Sequence, residues 1–231
     1  MKRFYKACTT GSGEGGHTVL LDDRPIRTPG RRLLALPTSA LAEAVASEWA
    51  AQGETIRPES MGVTRLASTV TDQLPRRRDD AIAEIQGYAE ADLLCYRTGA
   101  PSDLAERQAA RWQPWLDWAA RRLDAPLLVT TAIDPLPQPS ASLEALRRAT
   151  TRLDDWHLAG LHATTRLTGS IVLGQALLIG ELDPATAFDL ALLEELFEIE
   201  RWGLEAEQAR RHATLRADLA AAEAYCRALP A

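Results

Sequence analysis

Residues 183–207, DPATAFDLALLEELFEIERWGLEAE, decide how the C-terminal half of the chain is read. Asp183 can accept hydrogen bonds from a first helical turn, and Pro184 is preset for the position after the cap. No later proline interrupts the run, which therefore reads as one helix of several turns. At about 100° per residue, Leu190, Leu193, Leu196, Phe197 and Leu204 share one broad arc. Glu194, Glu195, Glu198 and Glu205 lie opposite, with Arg201 and Trp202 among them. Glu200 and Glu207, seven residues apart and so nearly in line, fall inside the apolar arc. There each needs a donor or a cation, or must stay protonated. Two readings stand side by side. In one, the helix has a solvated acidic face, as most helices of this composition do, and Glu200 and Glu207 reach arginines at the arc's edge. In the other, the acidic stripe and its one large aromatic ring form a partner-binding face. The pattern by itself does not choose.

The surrounding sequence reads as helix with short connections: residues 102–123, 142–156, 157–168, 170–179 and a last segment to Arg227. Short loops between helices make antiparallel neighbours, hence a helical bundle. Trp112, Trp115 and Trp118 step by three along the first of these, a spacing that fits core packing better than a ligand cage. Pro114 should kink or restart that helix, which Ser102 or Asp103 can cap. Residues 3–37 read differently. Short alternating runs separated by GSGEGG and by Asp22-Asp23-Arg24-Pro25 predict a small antiparallel sheet of three or four strands, the last two over residues 26–28 and 32–36. So thin a sheet needs one face covered. The natural cover is the helix from Thr38 to Gly53, with Leu41, Val45 and Trp49 on one side. Two more helices follow, one ended by Pro75 and one carrying Ile82, Ile85, Tyr88 and Ala89. The expected architecture is α+β: a sheet-and-helix part over residues 1–99 and a helical part over residues 100–231.

The chain has 26 basic and 32 acidic residues, a net charge of −6, which argues against sequence-independent nucleic-acid binding. Arg76-Arg77-Arg78 runs straight into Asp79-Asp80 and reads as a helix start with local charge pairing. Cys8, Cys95 and Cys226 are odd in number and widely spaced, so neither a disulfide framework nor a zinc site is expected. The N-terminus has no apolar leader core, and no apolar run approaches about 20 residues, so no membrane insertion and no targeting segment are expected.

Chemistry is thinly represented. His157 and His162 are five apart, not the four that a helical metal pair needs, and neither HExxH nor GxSxG occurs. GSGEGG is not followed by the lysine of a phosphate loop. Asp92 and Cys95 form the best remaining polar cluster. A nucleophilic Cys95 would need a base, and a buried structural cysteine fits better. An enzyme reading would place Glu200, Glu207 and Asp92 together in a cleft; the alternatives are proteins that bind and do not catalyse, a chaperone or an adaptor for some other protein client.

Several stretches together resemble one family. They are KRFYK at residues 2–6, LDDRPIRTP at 21–29, LALPTSALAEAVASEWAAQ at 34–52, IRPESMGVT at 56–64 and ADLLCYR at 91–97. Gln108 with Trp112-Gln113-Pro114, and EELFEIERWG at 194–203, complete the set. In this order they look like the ATP12 family of ATP synthase assembly chaperones, in a bacterial form. The resemblance implies a chaperone without cofactor or metal. It would hold the free alpha subunit of the ATP synthase catalytic head, shield its subunit interface and release it to beta. It implies a monomer when free, in the bacterial cytoplasm, or in the mitochondrial matrix for a processed eukaryotic form. The implied client-contacting residues are Glu194, Glu195, Glu198, Arg201, Trp202, Glu205 and Glu207, and the sheet edge offers a further contact. The chain departs from the family pattern at Gly62, where proline is common, and at Ala91, where threonine is. Many eukaryotic members carry an acid at the position of Ala206, flanked here by Glu205 and Glu207.

Overall fold

The N-terminal strands form because β-branched and apolar residues alternate between two turns that only special backbone conformations allow. The structure, a computed structural model, describes residues 1–13 and 15–230. Strand β1 (Cys8–Gly13) pairs antiparallel with β2 (Gly16–Leu21), from Cys8 opposite Leu21 to Gly13 opposite Gly16. Strand β2 turns through Asp22 and Asp23, both at positive φ, into the two-residue β3 (Arg24–Pro25). Asp22 fixes this turn by accepting the backbone N–H groups of Lys6 and Ala7. The order is β1-β2-β3. The two further strands expected over residues 26–28 and 32–36 are reduced to isolated bridges, Arg27 with Leu33 and His17 with Leu36. Positive φ at Arg31 turns the chain back too soon for a longer ladder. Of the expected GSGEGG turn, Glu14 lies outside the described residues.

Helix α1 (Ser39–Ala50) covers the sheet as expected. The Thr38 hydroxyl caps it by accepting the Leu41 N–H at 3.0 Å, and Leu41 and Val45 are fully buried with Val19. Trp49 lies edge-on to Tyr5, whose hydroxyl donates to the Trp49 carbonyl at 2.6 Å. The core then runs on through helices α2 (Gly62–Asp72), α3 (Leu74–Glu90), α4 (Ser102–Arg122), α5 (Ser140–Thr151), α6 (Asp155–Thr168) and α7 (Ile171–Leu178). Helix α3 packs on α5, α6 and α7, joining the two parts of the chain. Helices α6 and α7 form a close hairpin. A methyl group at Gly174 would come within 2.4 Å of the Thr165 hydroxyl oxygen, so only glycine permits that approach.

Three expectations on helix boundaries are corrected. Pro114 does not restart α4, which runs as one helix from Ser102 to Arg122 with the proline inside it. Pro114 and Ala110, whose carbonyl loses its usual partner, are both exposed, so water satisfies that carbonyl. Meanwhile Trp112 and Leu116 bury the opposite face. Neither Ser102 nor Asp103 caps the helix; Asp103 is engaged elsewhere, as described below. The α5–α6 boundary falls earlier than 156–157, because the Asp154 side chain accepts the His157 N–H at 2.8 Å and starts α6 there.

Candidate interaction surface

Residues 183–207 do not form one helix. They form α8 (Pro184–Ala191) and α9 (Leu193–Trp202), and the last helix, α10 (Ala206–Arg227), begins before the stretch ends. Asp183 caps α8 as expected, accepting the N–H groups of Ala185 and Thr186 at 3.0 Å each. The break at Leu192 (φ −108°, ψ 21°) needs no proline. The indole of fully buried Trp112 donates to the Leu190 carbonyl at 3.0 Å, supplying from α4 the hydrogen bond that the next turn would have made. On either side of the break Leu190, Leu193 and Phe197 are buried.

Helix α9 ends at Gly203, whose φ of +87° is a conformation L side chains rarely adopt. Glu205 then starts α10 in a reciprocal cap with Gln208. Two sequence expectations fall with this turn. Leu204 leaves the apolar arc and is 52% exposed. Glu207 sits in the first turn of α10 and does not line up with Glu200, and both are exposed.

Most of the α9 charges are held from inside the molecule. Arg107 on α4 grips Glu200 with two hydrogen bonds, at 2.6 and 2.9 Å, and holds its carboxyl below the usual range. Gln108 donates to Glu194 at 2.5 Å, and Arg201 pairs with Asp103. The Arg107 and Arg201 guanidiniums also lie 5.0 and 4.0 Å from the centre of the Phe197 ring. From α10, Arg211 and His212 take the two oxygens of Glu195, His212 at 2.8 Å. Partial burial pushes the Glu195 carboxyl up, but these two donors outweigh it and hold it low.

Of the seven expected contact residues, the structure therefore ties Glu194, Glu195 and Arg201 to α4 and α10. Glu205 is engaged in the α10 cap but remains exposed. Glu198 and Glu207 have no ion-pair or side-chain hydrogen-bond partner among the described residues. Trp202 is 85% exposed at the end of α9, next to Leu204. The exposed residues of this junction thus include a tryptophan, a leucine and the carboxylates of Glu198, Glu205 and Glu207. Sequence reasoning placed Leu204 in the core, and it passed over Ile133, which is fully exposed on the loop after α4. That loop is anchored to the Cys95–Arg97 backbone through both the N–H and the carbonyl of Thr130. The prolines after Ile133 were the available signal, since they stiffen a loop that presents a side chain.

The other cluster considered for chemistry has a structural role. Asp92 is fully buried and accepts hydrogen bonds from the Leu94 N–H at 3.0 Å and the Ser170 hydroxyl at 2.8 Å, joining the turn Leu93–Cys95 to the start of α7. Burial outweighs these donors and pushes its carboxyl up to about 6. Burial likewise pushes the Cys95 thiol up to about 12, so no thiolate nucleophile is at hand. Glu200, Glu207 and Asp92 share no cleft: two are exposed on α9 and α10 and the third is sealed in the core. Trp118 spends its indole N–H on Glu181 at 2.6 Å, as a core residue and not part of an open cage. Among the described residues there is no cluster of side chains that could hold a metal ion, and no helix is long and apolar enough to cross a membrane.

Comparison with known proteins bears on the family and the fold. The model of the ATP12 chaperone protein family matches residues 2–120. A curated relative, the mitochondrial protein atp12 of Schizosaccharomyces pombe, is 24% identical over 214 residues, covering 87% of this chain and 74% of that protein. The crystal structure of Atp12 from Paracoccus denitrificans is 40% identical, superposes with a TM-score of 0.91, and covers 98% of this chain and 97% of its own. A protein of known structure from Agrobacterium tumefaciens is 37% identical with a TM-score of 0.94, covering 99% and 86%. A family match over more than half the chain, with fold and sequence shared nearly end to end, places this protein among binders of other proteins and not among enzymes: it belongs to the ATP12 chaperone family.

Proposed function

We propose that this protein serves ATP synthase assembly by binding the free alpha subunit of the catalytic head. It covers the face that alpha will later present to beta, and yields alpha when beta competes for that face. The observation that carries this reading is Trp202, 85% exposed beside Leu204 on a turn fixed from two sides. A large aromatic ring left in water on a rigid support gains most when a partner covers it. The carboxylates of Glu198, Glu205 and Glu207 around it favour a partner surface with basic groups and disfavour acidic ones. An unassembled subunit exposes an apolar interface prone to aggregation, which a transient cover prevents without any bond being made or broken. The chain works as a monomer, in the cytoplasm of a bacterium.

The test mixes the purified chain with isolated alpha subunit and follows the complex by size exclusion with light scattering. A one-to-one complex is expected, dissolved by added beta subunit. No association with alpha, or a complex that beta joins without displacing the chaperone, overturns the proposal.

A further inference from the structure

Between α4 and α5 the chain carries the run Leu-Leu-Val-Thr-Thr-Ala-Ile over residues 127–133. It contains no charge, no proline and no glycine, and four of its seven residues are β-branched, so it favours extended backbone. One edge of it is full. Thr130 donates its N–H to the Cys95 carbonyl and accepts the Arg97 N–H, at 2.9 Å each, in a parallel bridge to Tyr96. The side-chain amide of Gln138 serves Leu128 in the same way: its oxygen accepts the Leu128 N–H at 2.8 Å and its nitrogen donates to the Leu128 carbonyl at 3.1 Å. Successive residues of an extended chain direct their backbone groups to opposite edges. Val129 and Thr131 therefore turn theirs away from Cys95 and Arg97. Neither N–H and neither carbonyl of these two residues has a hydrogen-bond partner among the described residues, and both residues are exposed.

We propose that this open edge is a second contact site, which takes an extended, uncharged, apolar segment of another polypeptide chain as an added strand. The backbone specifies the form of the occupant. Two donors and two acceptors, on residues i and i+2, are what a strand offers to a neighbouring strand. The side chains specify its chemistry. Leu128, Val129 and Ile133 are exposed along the run, and a charge placed against them would lose water without meeting a counter-charge. Folded proteins commonly blunt an exposed edge with a charge or a proline inside the strand. Here the prolines stand only outside the run, Pro126 before it and Pro135 after it, so the edge stays open while its length is bounded. An occupant gains its bonds without breaking any in the fold, because the inner edge is already satisfied by Cys95, Arg97 and Gln138. The proposal takes from the chaperone family only that the occupant is a polypeptide. Main-chain pairing tolerates many sequences, so this site would add holding strength, and the Trp202 junction would add selectivity.

The experiment uses the full chain and the dye-labelled peptide acetyl-Thr-Val-Thr-Val-Thr-Gly-Lys-amide, read by fluorescence anisotropy. Saturable binding is expected below about 1 mM. Methylating the valine and central threonine nitrogens of the peptide removes its donors and should weaken binding about tenfold or more, as should replacing its valines by glutamate or by lysine. Thr131→Pro removes an outer N–H while leaving the Thr130 bridge intact, since the residue before a proline favours the extended form that Thr130 already has. It should weaken the parent peptide about tenfold or more at an unchanged Tm. Trp202→Ala should leave peptide binding as it is. Equal binding of the parent and N-methylated peptides overturns the proposal without recourse to any variant. So does binding indifferent to Thr131→Pro, binding lost in Trp202→Ala, or no saturable binding at all. A dimer of the chain alone in sedimentation, abolished by Thr131→Pro, would show a second copy on this edge and overturn it too. None of these outcomes depends on whether the alpha subunit binds, so failure here and failure of the proposed client are told apart.

Discussion

Replacing Trp202 by alanine separates a contact residue from a structural one, because the two roles give opposite results. The ring is 85% exposed, so the fold has little to lose. An exposed substitution of this kind costs within about 0.5 kcal/mol, or roughly 1–2 °C in Tm for a chain of this size. A partner pocket closing over the ring has much to gain. A tryptophan offers about 150–250 Å² for burial, so about 130–210 Å² of this one remains to be covered. At about 25 cal/mol per Å² that sets a ceiling of ~3–5 kcal/mol. Binding never returns the whole of it, because ordering and imperfect desolvation take a share. Anchor residues lose about 2–4 kcal/mol on truncation, and 1.4 kcal/mol is a factor of ten. Trp202→Ala should therefore weaken the complex with alpha subunit roughly 30- to 1,000-fold while melting unchanged. Calorimetric titration beside a thermal melt followed by circular dichroism measures both. Trp202→Phe, which keeps most of the apolar area, should recover much of the loss. Affinity within about threefold of the parent in a well-folded Trp202→Ala protein would refute the anchor role. A fall in Tm of more than about 5 °C would show that the ring supports the fold instead.

Two further predictions concern carboxylates. Asp92 is raised from the normal aspartate range to about 6, some two pKa units, which corresponds to ~3 kcal/mol. Its folded-state pKa lies above its unfolded value, so its neutral form favours folding: this contribution is whole below about pH 4 and is lost as pH rises through about 6. Asp92→Asn should remove the corresponding slope, read as the difference between parent and variant in urea unfolding from pH 4 to 7; identical slopes would discard the account. Glu195 and Glu198 should part company. Glu195→Ala strips partners from Arg211 and buried His212 and should cost ~1–2 kcal/mol of stability. Glu198→Ala should leave stability unchanged and lower only the rate of association with alpha, an effect that salt abolishes. Stability measurements that rank the two variants equally would contradict the contacts described.

The parts legible in the sequence were those carried by local chemistry. Thr38 and Asp183 were recognisable caps and act as caps. Leu41, Val45, Ile85 and Ala89 fell on the faces they bury, because helical period alone decides that. The tryptophan row was legible as core, and Trp112 and Trp118 are buried. What failed depended on distant partners. The break at Leu192 exists because an indole from α4, 78 residues earlier, takes the Leu190 carbonyl. Nothing between residues 183 and 192 announces it. Once the helix breaks there and turns again at Gly203, helical phasing no longer relates Glu200 to Glu207 or Leu193 to Leu204. Hence Glu207, assigned to an apolar arc, is exposed, and Leu204, assigned to the core, is not buried, whereas Glu200 stays in phase with Leu193 and Phe197 and reaches an arginine, Arg107, at the edge. Gly203 was quoted as part of a motif, yet its meaning lay in its φ of +87°, which marks a helix end. Pro114 failed in the opposite sense. A strong breaker was outvoted because the carbonyl it orphans faces water and its neighbours are held in the core.

The charges on α9 fix the backbone that carries the exposed Trp202. Ion pairs as exposed as Arg107–Glu200 or Asp103–Arg201 add little to stability, too little to account for three polar ties from α4 to one short helix. Their geometry is more informative than their energy. They run from the first two turns of α4 to both ends of α9, while Glu195 is tied from the other side by α10. Phe197, between two guanidiniums and 5% exposed, pins the middle. A helix of ten residues held at its ends and centre has little freedom to tilt, so the turn at Gly203 and the backbone that carries Trp202 are offered in one orientation. That orientation removes part of the ordering cost that a partner would otherwise meet on binding, about 0.5–1.5 kcal/mol for each side chain it need not immobilise. A surface prepared in this way binds quickly without a conformational step. It also gives up its partner by simple competition, because no rearrangement has to be reversed.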